Sequence, residues 1–287
     1  MSRLMRTIGQ NFAQHEACLR LFADWEKDAG ITSDVLPLRL GAALHALVLE
    51  KINHGLVEVY PPNTASDQAL WNAVLGAFQQ HEQFIREWLK SPLQTNEVRR
   101  AAPILAGLNF CLSRYPMPVM LSELGASAGL NLLLDHCTLN AGHTLQPADD
   151  PIVTQSPEWM GVIPAQQPLK ISGRAGVDIN PLNSVDRLEY LRLLSYTWAD
   201  HCDRLDRGKQ IAPHQTTKVE QADAADWLPN RLNAQPTGTL HFVFHTIALR
   251  YFPQGSMDKI AHALAQTGNR TTPEDPWDIC PWKLQMI

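Results

Sequence analysis

The stretch LSELGASAGLNLLLD, residues 121–135, decides how the second half of the chain folds. An apolar run ends at Glu123, and the chain then passes two glycines, Gly125 and Gly129, before a second apolar run begins. Glycine tolerates the left-handed backbone and the close approach that a sharp turn requires. The stretch therefore predicts a buried strand, a tight turn and the start of a helix.

The segments around this stretch predict two domains. Residues 1–115 carry apolar side chains at helical spacing and show no strong strand pattern, which predicts an all-helical domain. Residues 116–287 alternate short apolar runs with helical patterns, and alternating strands and helices favour an α/β domain with a parallel sheet. Residues 138–170 read as a loop or a small β excursion. The predicted strands cover residues 118–124, 169–178, 217–222 and 239–246.

The turn after Glu123 has three interpretations. A phosphate-binding loop needs lysine and a hydroxyl residue after its last glycine, whereas Leu130 and Asn131 follow Gly129. The loop of S-adenosylmethionine-dependent methyltransferases has an acid followed by three alternate glycines, and here Ser127 stands in place of the middle one. A structural turn without any ligand is the third interpretation, and the loop alone does not decide between the last two.

Polar residues at the ends of the later strands favour the cofactor interpretation. Ligands of open α/β sheets bind at the carboxyl ends of the strands. Asp178 is placed to bind ribose hydroxyls, Asp223 to bind the adenine amine, and His245 and Thr246 to face the reacting methyl group. Each also has a structural alternative: Asp178 as a turn residue, Asp223 as a helix cap and His245 as a core histidine. Together they predict a Rossmann-like, methyltransferase-type domain over residues 116–287.

A serine hydrolase is a further alternative. The run GASAG matches the nucleophile elbow G-x-S-x-G, with Ser127 as nucleophile and a strand-turn-helix context. Asp178 or Asp223, with His245 or His262, would complete a triad. However, this elbow would follow the first strand of the sheet, and Glu123 before the first glycine is more typical of a cofactor loop.

Four motifs together resemble an uncharacterised bacterial family, a domain of unknown function. They are QTNEV with the helix that follows, ELGASAGLNL, GVDINP and VFHT, within a resemblance that covers residues 10–276. The resemblance implies a helical N-terminal part followed by a methyltransferase-like Rossmann part. It implies no established reaction.

The predicted cofactor is S-adenosylmethionine. The expected cofactor-binding residues are Glu123, Gly125, Ala126, Ser127, Gly129, Asn131, Asp178 and Asp223. The expected catalytic residues are His245, as a base that deprotonates the acceptor, and Asn96 or Glu97, which would orient it. Capping of a helix is the alternative role for Asn96 and Glu97.

The C-terminal stretch RTTPEDPWDICPWKLQMI, residues 270–287, departs from the family pattern. Four strands precede it, fewer than a complete methyltransferase sheet contains. Two explanations stay open: a shortened or frameshifted end, and a natural short form. The predicted function is therefore a methyltransferase with an unknown small-molecule acceptor, and the alternative is a degenerate binding module without catalysis.

Composition narrows the function classes. The chain has 287 residues and a net charge of -5, which argues against a broad nucleic-acid-binding surface. The five cysteines are scattered and no histidines have metal-ligand spacing, so neither a disulfide framework nor a metal site is expected. No signal peptide or membrane span is evident. We therefore expect a cytoplasmic protein with no membrane partner, and the sequence does not indicate its oligomeric state.

Overall fold

The computed structural model describes residues 1–23, 25, 35–145, 149–270 and 277–279. It has a mixed α/β architecture. The α-helices are α1 Ser2–Asn11, α2 Glu16–Leu21, α3 Leu36–Leu49, α4 His54–Val59, α5 Asp67–Gln80, α6 Glu82–Leu89, α7 Ala101–Leu112, α8 Arg187–Ser195, α9 Cys202–Ile211, α10 Ala224–Asn233 and α11 Gln254–Gly268. The strands are β1 Val119–Leu124, β2 Cys137–Asn140, β3 Thr144–Leu145, β4 Val153–Gln155, β5 Ile171–Asp178, β6 Glu220–Gln221, β7 Leu240–His245 and β8 Trp277–Ile279.

The chain divides into two compact units. The first contains Met1–Thr95 and Val185–Asp206, and the second contains Asn96–Ser184 and the described residues from Arg207 onward. The predicted boundary after residue 115 falls inside the second unit. Helix α7 belongs to that unit because it packs on the 3₁₀ helix Leu130–His136 and on β2.

The helical unit is built around α3. This helix is apolar on every face, LPLRLGAALHALVL, so it must be surrounded by other helices. Ten of its fourteen residues are buried. The later segment of the unit contributes Leu191 and Tyr196 to the same core. His45 contacts the carbonyl oxygen of Ser195 through Nδ1 at 3.1 Å, which ties α3 to that segment.

The second unit contains a five-stranded sheet in the order β6-β5-β1-β7-β8. All neighbouring pairs are parallel. All six residues of the central strand β1 are buried, as expected of a strand covered on both faces. The four predicted strands are confirmed as β1, β5, β6 and β7. The strand β8 lies in the C-terminal stretch that departs from the family pattern, and most of that stretch lies outside the described residues.

Helices α10 and α11 cover one face of this sheet. Their apolar residues Leu228 and Ile260 join Leu124, Val177 and Val243 from three strands in one core cluster. Between β1 and β5 the chain forms a separate three-stranded sheet in the order β3-β2-β4. This small sheet confirms the β alternative for residues 138–170.

Among the described residues, no helix is both long enough and apolar enough to cross a membrane.

Candidate functional site

The loop after β1 has an unusual alternating backbone. Gly125, Ser127 and Gly129 have φ values of +70°, +54° and +72°. The left-handed region is accessible to glycine but costs about 1–2 kcal/mol for a residue with a side chain, so Ser127 is strained. The N–H groups of Gly125 and Ala126 both donate to the carbonyl oxygen of Val177, at 2.9 and 3.0 Å. The end of β5 therefore holds the start of this loop.

Asp178, the last residue of β5, also holds the loop. Its Oδ2 accepts a hydrogen bond from the N–H of Ser127 at 2.8 Å, and its Oδ1 accepts one from the N–H of Asn180 at 2.9 Å. The predicted ribose-binding acid thus supports the strained serine and caps its own turn.

Glu123, the predicted ligand-binding acid of β1, is completely buried. Its Oε1 accepts long hydrogen bonds from Asn131 Nδ2 at 3.5 Å and Thr246 Oγ1 at 3.4 Å. Burial is the largest influence and raises its pKa to about 8, although the two hydrogen bonds and the positive charge of Arg100 lower it. Glu123 is therefore mostly protonated at neutral pH.

Three buried acceptor atoms of this loop region lack a hydrogen-bond partner within the described part of the chain. They are Glu123 Oε2, Ser127 Oγ and Asn131 Oδ1. Buried polar atoms are nearly always hydrogen-bonded in native proteins, and each one left unpaired costs roughly 1–3 kcal/mol. The sequence region predicted to bind a cofactor thus contains three unsatisfied buried acceptors, and two others, Thr138 Oγ1 and Gln155 Oε1, lie outside it.

Asn96 and Glu97 have structural roles here. Asn96 Oδ1 accepts a hydrogen bond from the N–H of Leu130 at 2.8 Å, which caps the 3₁₀ helix that follows the loop. Glu97 Oε1 accepts one from the N–H of Arg99 at 3.0 Å and lies 3.6 Å from Arg207. The capping alternative therefore describes their present contacts.

Asp223 is the N-cap of α10. Its Oδ1 accepts a hydrogen bond from the N–H of Ala225 at 2.7 Å, and its Oδ2 accepts one from the hydroxyl of Ser256 at 3.0 Å. These contacts match the alternative in which Asp223 caps a helix.

His245 ends β7 and is exposed, and the surrounding protein lowers the pKa of its ring by desolvation. This shift favours the neutral imidazole.

A family model matches residues 1–277 of the chain. The chain belongs to DUF2332, a family described as an uncharacterized protein conserved in bacteria. This membership confirms the resemblance to an uncharacterised bacterial family. No curated protein and no solved structure matches the sequence.

The sequence analysis missed two side chains around the loop of this DUF2332 protein. Arg100 Nη1 donates to the carbonyl oxygen of Thr246 at 3.1 Å, and its charge acts on Glu123. Gln215 Nε2 donates to the carbonyl oxygens of Gly129 at 2.5 Å and Ala128 at 3.2 Å. Arg100 follows QTNEV closely, so the motif could have drawn attention to it. The sequence gives no sign of the role of Gln215, which depends on tertiary contact.

The second missed feature of the DUF2332 protein is a polar cluster on the opposite face of β1. Ser122 Oγ lies 2.8 Å from His241 Nε2 and accepts a hydrogen bond from Arg231 Nε at 3.0 Å. Which of the two groups donates in the Ser122–His241 contact depends on the tautomer of the imidazole. Ser122 and His241 are both completely buried, so no substrate reaches them in this structure.

The first prediction for the DUF2332 protein concerns the contact between Gly125 and Ala248. A Cβ placed on Gly125 would lie 2.2 Å from Ala248 Cβ. Gly125→Ala is expected to lower the free energy of unfolding by about 3 kcal/mol, from left-handed strain and overpacking together. Gly238→Ala is the control because Gly238 has φ +75° and no atom lies within 4 Å of the place that its Cβ would take; strain alone should cost it about 1 kcal/mol. Equal losses in urea unfolding would contradict the packing argument.

Proposed function

We propose that the sheet unit is a Rossmann-like domain that binds S-adenosylmethionine and transfers its methyl group to a small-molecule acceptor. The strand order supports this proposal. β5 and β6 follow on one side of β1, and β7 and β8 follow on the other. The order therefore reverses between β1 and β7, and open α/β sheets bind their ligands in the crevice at that position. Glu123 and His245 belong to these two strands.

The buried carboxyl group of Glu123 is the observation that carries the proposal. Its Oε2 has no hydrogen-bond partner among the described residues, and it stands beside the switch point with two more unsatisfied acceptors, Ser127 Oγ and Asn131 Oδ1. Oxygen acceptors without donors suit a primary ammonium group, which has three donors and no acceptor. S-adenosylmethionine carries such a group, so the residues present fit this cofactor.

Two further residues fit the same ligand. Asp178, which ends β5 beside the loop, carries a carboxylate, a group that accepts hydrogen bonds from hydroxyl groups. The next residue, Ile179, is 70% exposed and offers apolar surface to a flat ring. Exposed large aliphatic side chains at a ligand crevice are consistent with the mostly apolar lining of small-molecule sites.

Residues of the chain would then position the acceptor and accept its proton. S-adenosylmethionine, when bound, supplies an electrophilic methyl group on a sulfonium ion. Methyl transfer depends mainly on holding the acceptor in line with that group. His245 is exposed at the end of β7, and its lowered pKa favours the neutral imidazole, which has a nitrogen lone pair. It would accept the proton that a hydroxyl or amine acceptor releases.

Titration calorimetry with S-adenosylmethionine and S-adenosylhomocysteine tests the proposal. A bound ammonium group favours the ionised form of Glu123, and the neutral amide of Glu123→Gln offers it no charge. We therefore expect this variant to bind at least tenfold more weakly, about 1.4 kcal/mol. Glu158→Gln is the control, since Glu158 is exposed on a loop of the same unit. A folded wild-type chain that binds neither compound would contradict the proposal.

A turnover assay distinguishes the methyltransferase from the alternative, a degenerate binding module without catalysis. If the cofactor binds but a broad screen of hydroxyl, amine and thiol acceptors produces no S-adenosylhomocysteine, the binding-module function gains support.

The serine hydrolase has less support from the contacts, because a triad needs a histidine hydrogen-bonded to the nucleophile. Ser127 Oγ has no partner among the described residues. Labelling of Ser127 by a fluorophosphonate would favour it.

A further inference from the structure

Residues 246–252, which follow β7, lie directly over the first glycine of the cofactor loop. The position of a Cβ on Gly125 would be 2.2 Å from Ala248 Cβ and 3.8 Å from Phe252 Cε1. Ala248 therefore occupies the space that the missing side chain of Gly125 leaves. Because open α/β sheets bind ligands at this end of β1 and β7, the segment covers the place where a ligand would enter.

The same segment contacts the buried acid. Thr246 Oγ1 donates to Glu123 Oε1 at 3.4 Å, and Arg100 Nη1 donates to the carbonyl oxygen of Thr246 at 3.1 Å. Glu123 is completely buried, while its Oε2 lacks a partner among the described residues. In the proposed function a ligand must reach this oxygen, so the part of the protein that covers it has to move.

Beyond the contacts of Thr246 and Ala248, the segment has few buried anchors. Its 3₁₀ turn, Ala248–Tyr251, contains no buried residue, and Tyr251 is 64% exposed. Leu249 and Phe252 are partly buried against the core cluster under α10 and α11. The N–H groups of Arg250 and Phe252 donate to carbonyl oxygens within the same segment. Segments with few buried apolar contacts open locally at low free-energy cost.

The segment also begins at a strained residue. Ile247 has a φ of +73°. A β-branched residue in the left-handed region is a conformational outlier, and such strain of about 1–3 kcal/mol often marks switch regions and ligand clamps. Rotation at Ile247 would relieve this strain and lift Ala248 off Gly125.

We propose that residues 246–252 form a gate, closed over Gly125 and Glu123 in this structure, which opens at Ile247 to admit the ligand. This inference rests on the proposed function for the identity of the ligand, but the opening itself does not require the ligand. A closed gate lowers the apparent affinity by the fraction of molecules that are open. Variants that loosen the gate should therefore bind faster without dissociating faster.

Ala248→Gly tests the gate because it removes the methyl group that lies on Gly125. Surface plasmon resonance with S-adenosylhomocysteine should show an association rate about 5- to 10-fold higher and a dissociation rate unchanged within about twofold. Hydrogen exchange of the ligand-free chain should be faster in peptides covering residues 247–252 and unchanged elsewhere in the unit. Ala261→Gly, at an exposed position of α11, is the control and should change neither measurement.

The outcomes separate the gate from the proposed function. Faster exchange confined to residues 247–252 supports the gate even if no variant binds S-adenosylhomocysteine, and that lack of binding would reject the cofactor instead. Unchanged exchange, or faster exchange throughout the unit, overturns the gate whether or not the ligand binds. A loosened variant that binds with unchanged or lower association rate also overturns it.

Discussion

Replacement of Glu123 by glutamine is expected to stabilise the protein at high pH. The unfolding free energy of the variant minus that of wild type should be about 4–5 kcal/mol larger at pH 9 than at pH 4. Burial raises the pKa of Glu123 from 4.5 to about 8. Between these values the unfolded chain ionises while the folded chain keeps its proton. Folding stability of the wild type therefore falls by about 1.4 kcal/mol per pH unit from pH 4.5 to pH 8 and then levels off. Glutamine cannot ionise, so the variant lacks this loss.

The measurement is urea unfolding of both proteins at pH 5, 7 and 9. The difference in unfolding free energy between variant and wild type should grow from pH 5 to about pH 8 and change little above it. Taking this difference removes the contributions of titrating groups that the replacement leaves unchanged. Glu158→Gln is the control, because Glu158 is exposed and its replacement should leave the profile unchanged. Parallel profiles for Glu123→Gln and wild type would show that the carboxyl group of Glu123 is solvated or paired in the folded chain.

Much of the sheet could be predicted because its determinants are local. Strand β1 is a short apolar run bounded by Pro118 and Gly125, and every one of its residues is buried. Two glycines four residues apart predict a tight turn, and both have positive φ. The cap of α10 by Asp223 follows the same logic, since a short acidic residue before a helix can bond the free N–H groups of its first turn.

The candidate site could be predicted only as a set of positions. Sequence places Glu123 and Asp178 at strand ends, but it does not say that Asp178 bonds the N–H of Ser127. The packing of Ala248 on Gly125 joins residues more than a hundred positions apart. The return of Val185–Asp206 to the helical unit is likewise a tertiary event. Local propensity and periodicity carry no information about such contacts.

Replacement of His241 by glutamine is expected to protect the protein against acid. Burial first, and then the charge of Arg231, lower the pKa of His241 from 6.5 to about 3. Below pH 6.5 the unfolded chain binds a proton at His241, whereas the folded chain does not. The contribution of His241 is therefore fully present above pH 6.5 and is lost by about 1.4 kcal/mol per pH unit as the pH falls toward 3.

Glutamine should retain the contact that matters most at neutral pH. Its terminal amide, which has both a donor and an acceptor, can take the place of His241 Nε2, which lies 2.8 Å from Ser122 Oγ. We expect His241→Gln to be about 1–2 kcal/mol less stable than wild type at pH 7, from imperfect packing and hydrogen bonding. At pH 4 the wild type should have lost about 3 kcal/mol through His241, so the two stabilities should cross near pH 5–6.

Urea unfolding at pH 7, 5.5 and 4 measures this crossing. His262→Gln is the control, since His262 is exposed on α11 and its replacement should shift no part of the profile. A constant difference between His241→Gln and wild type would mean that the folded chain admits the proton, which requires the Ser122–His241–Arg231 cluster to open in acid.

Glu123 and His241 lie on opposite faces of one sheet, and they change the pH dependence of folding stability in opposite directions. Ser122 and Glu123 are neighbours on β1, and successive side chains of a strand point to opposite faces. On the face of Ser122, His241 limits stability in acid; on the other face, Glu123 limits it in base. The double variant should therefore have a flatter pH profile of stability than either single variant. Ligand binding at Glu123 would move only the alkaline limit, because His241 lies on the face of the sheet opposite Glu123. Shifts of both limits by S-adenosylhomocysteine would contradict this separation.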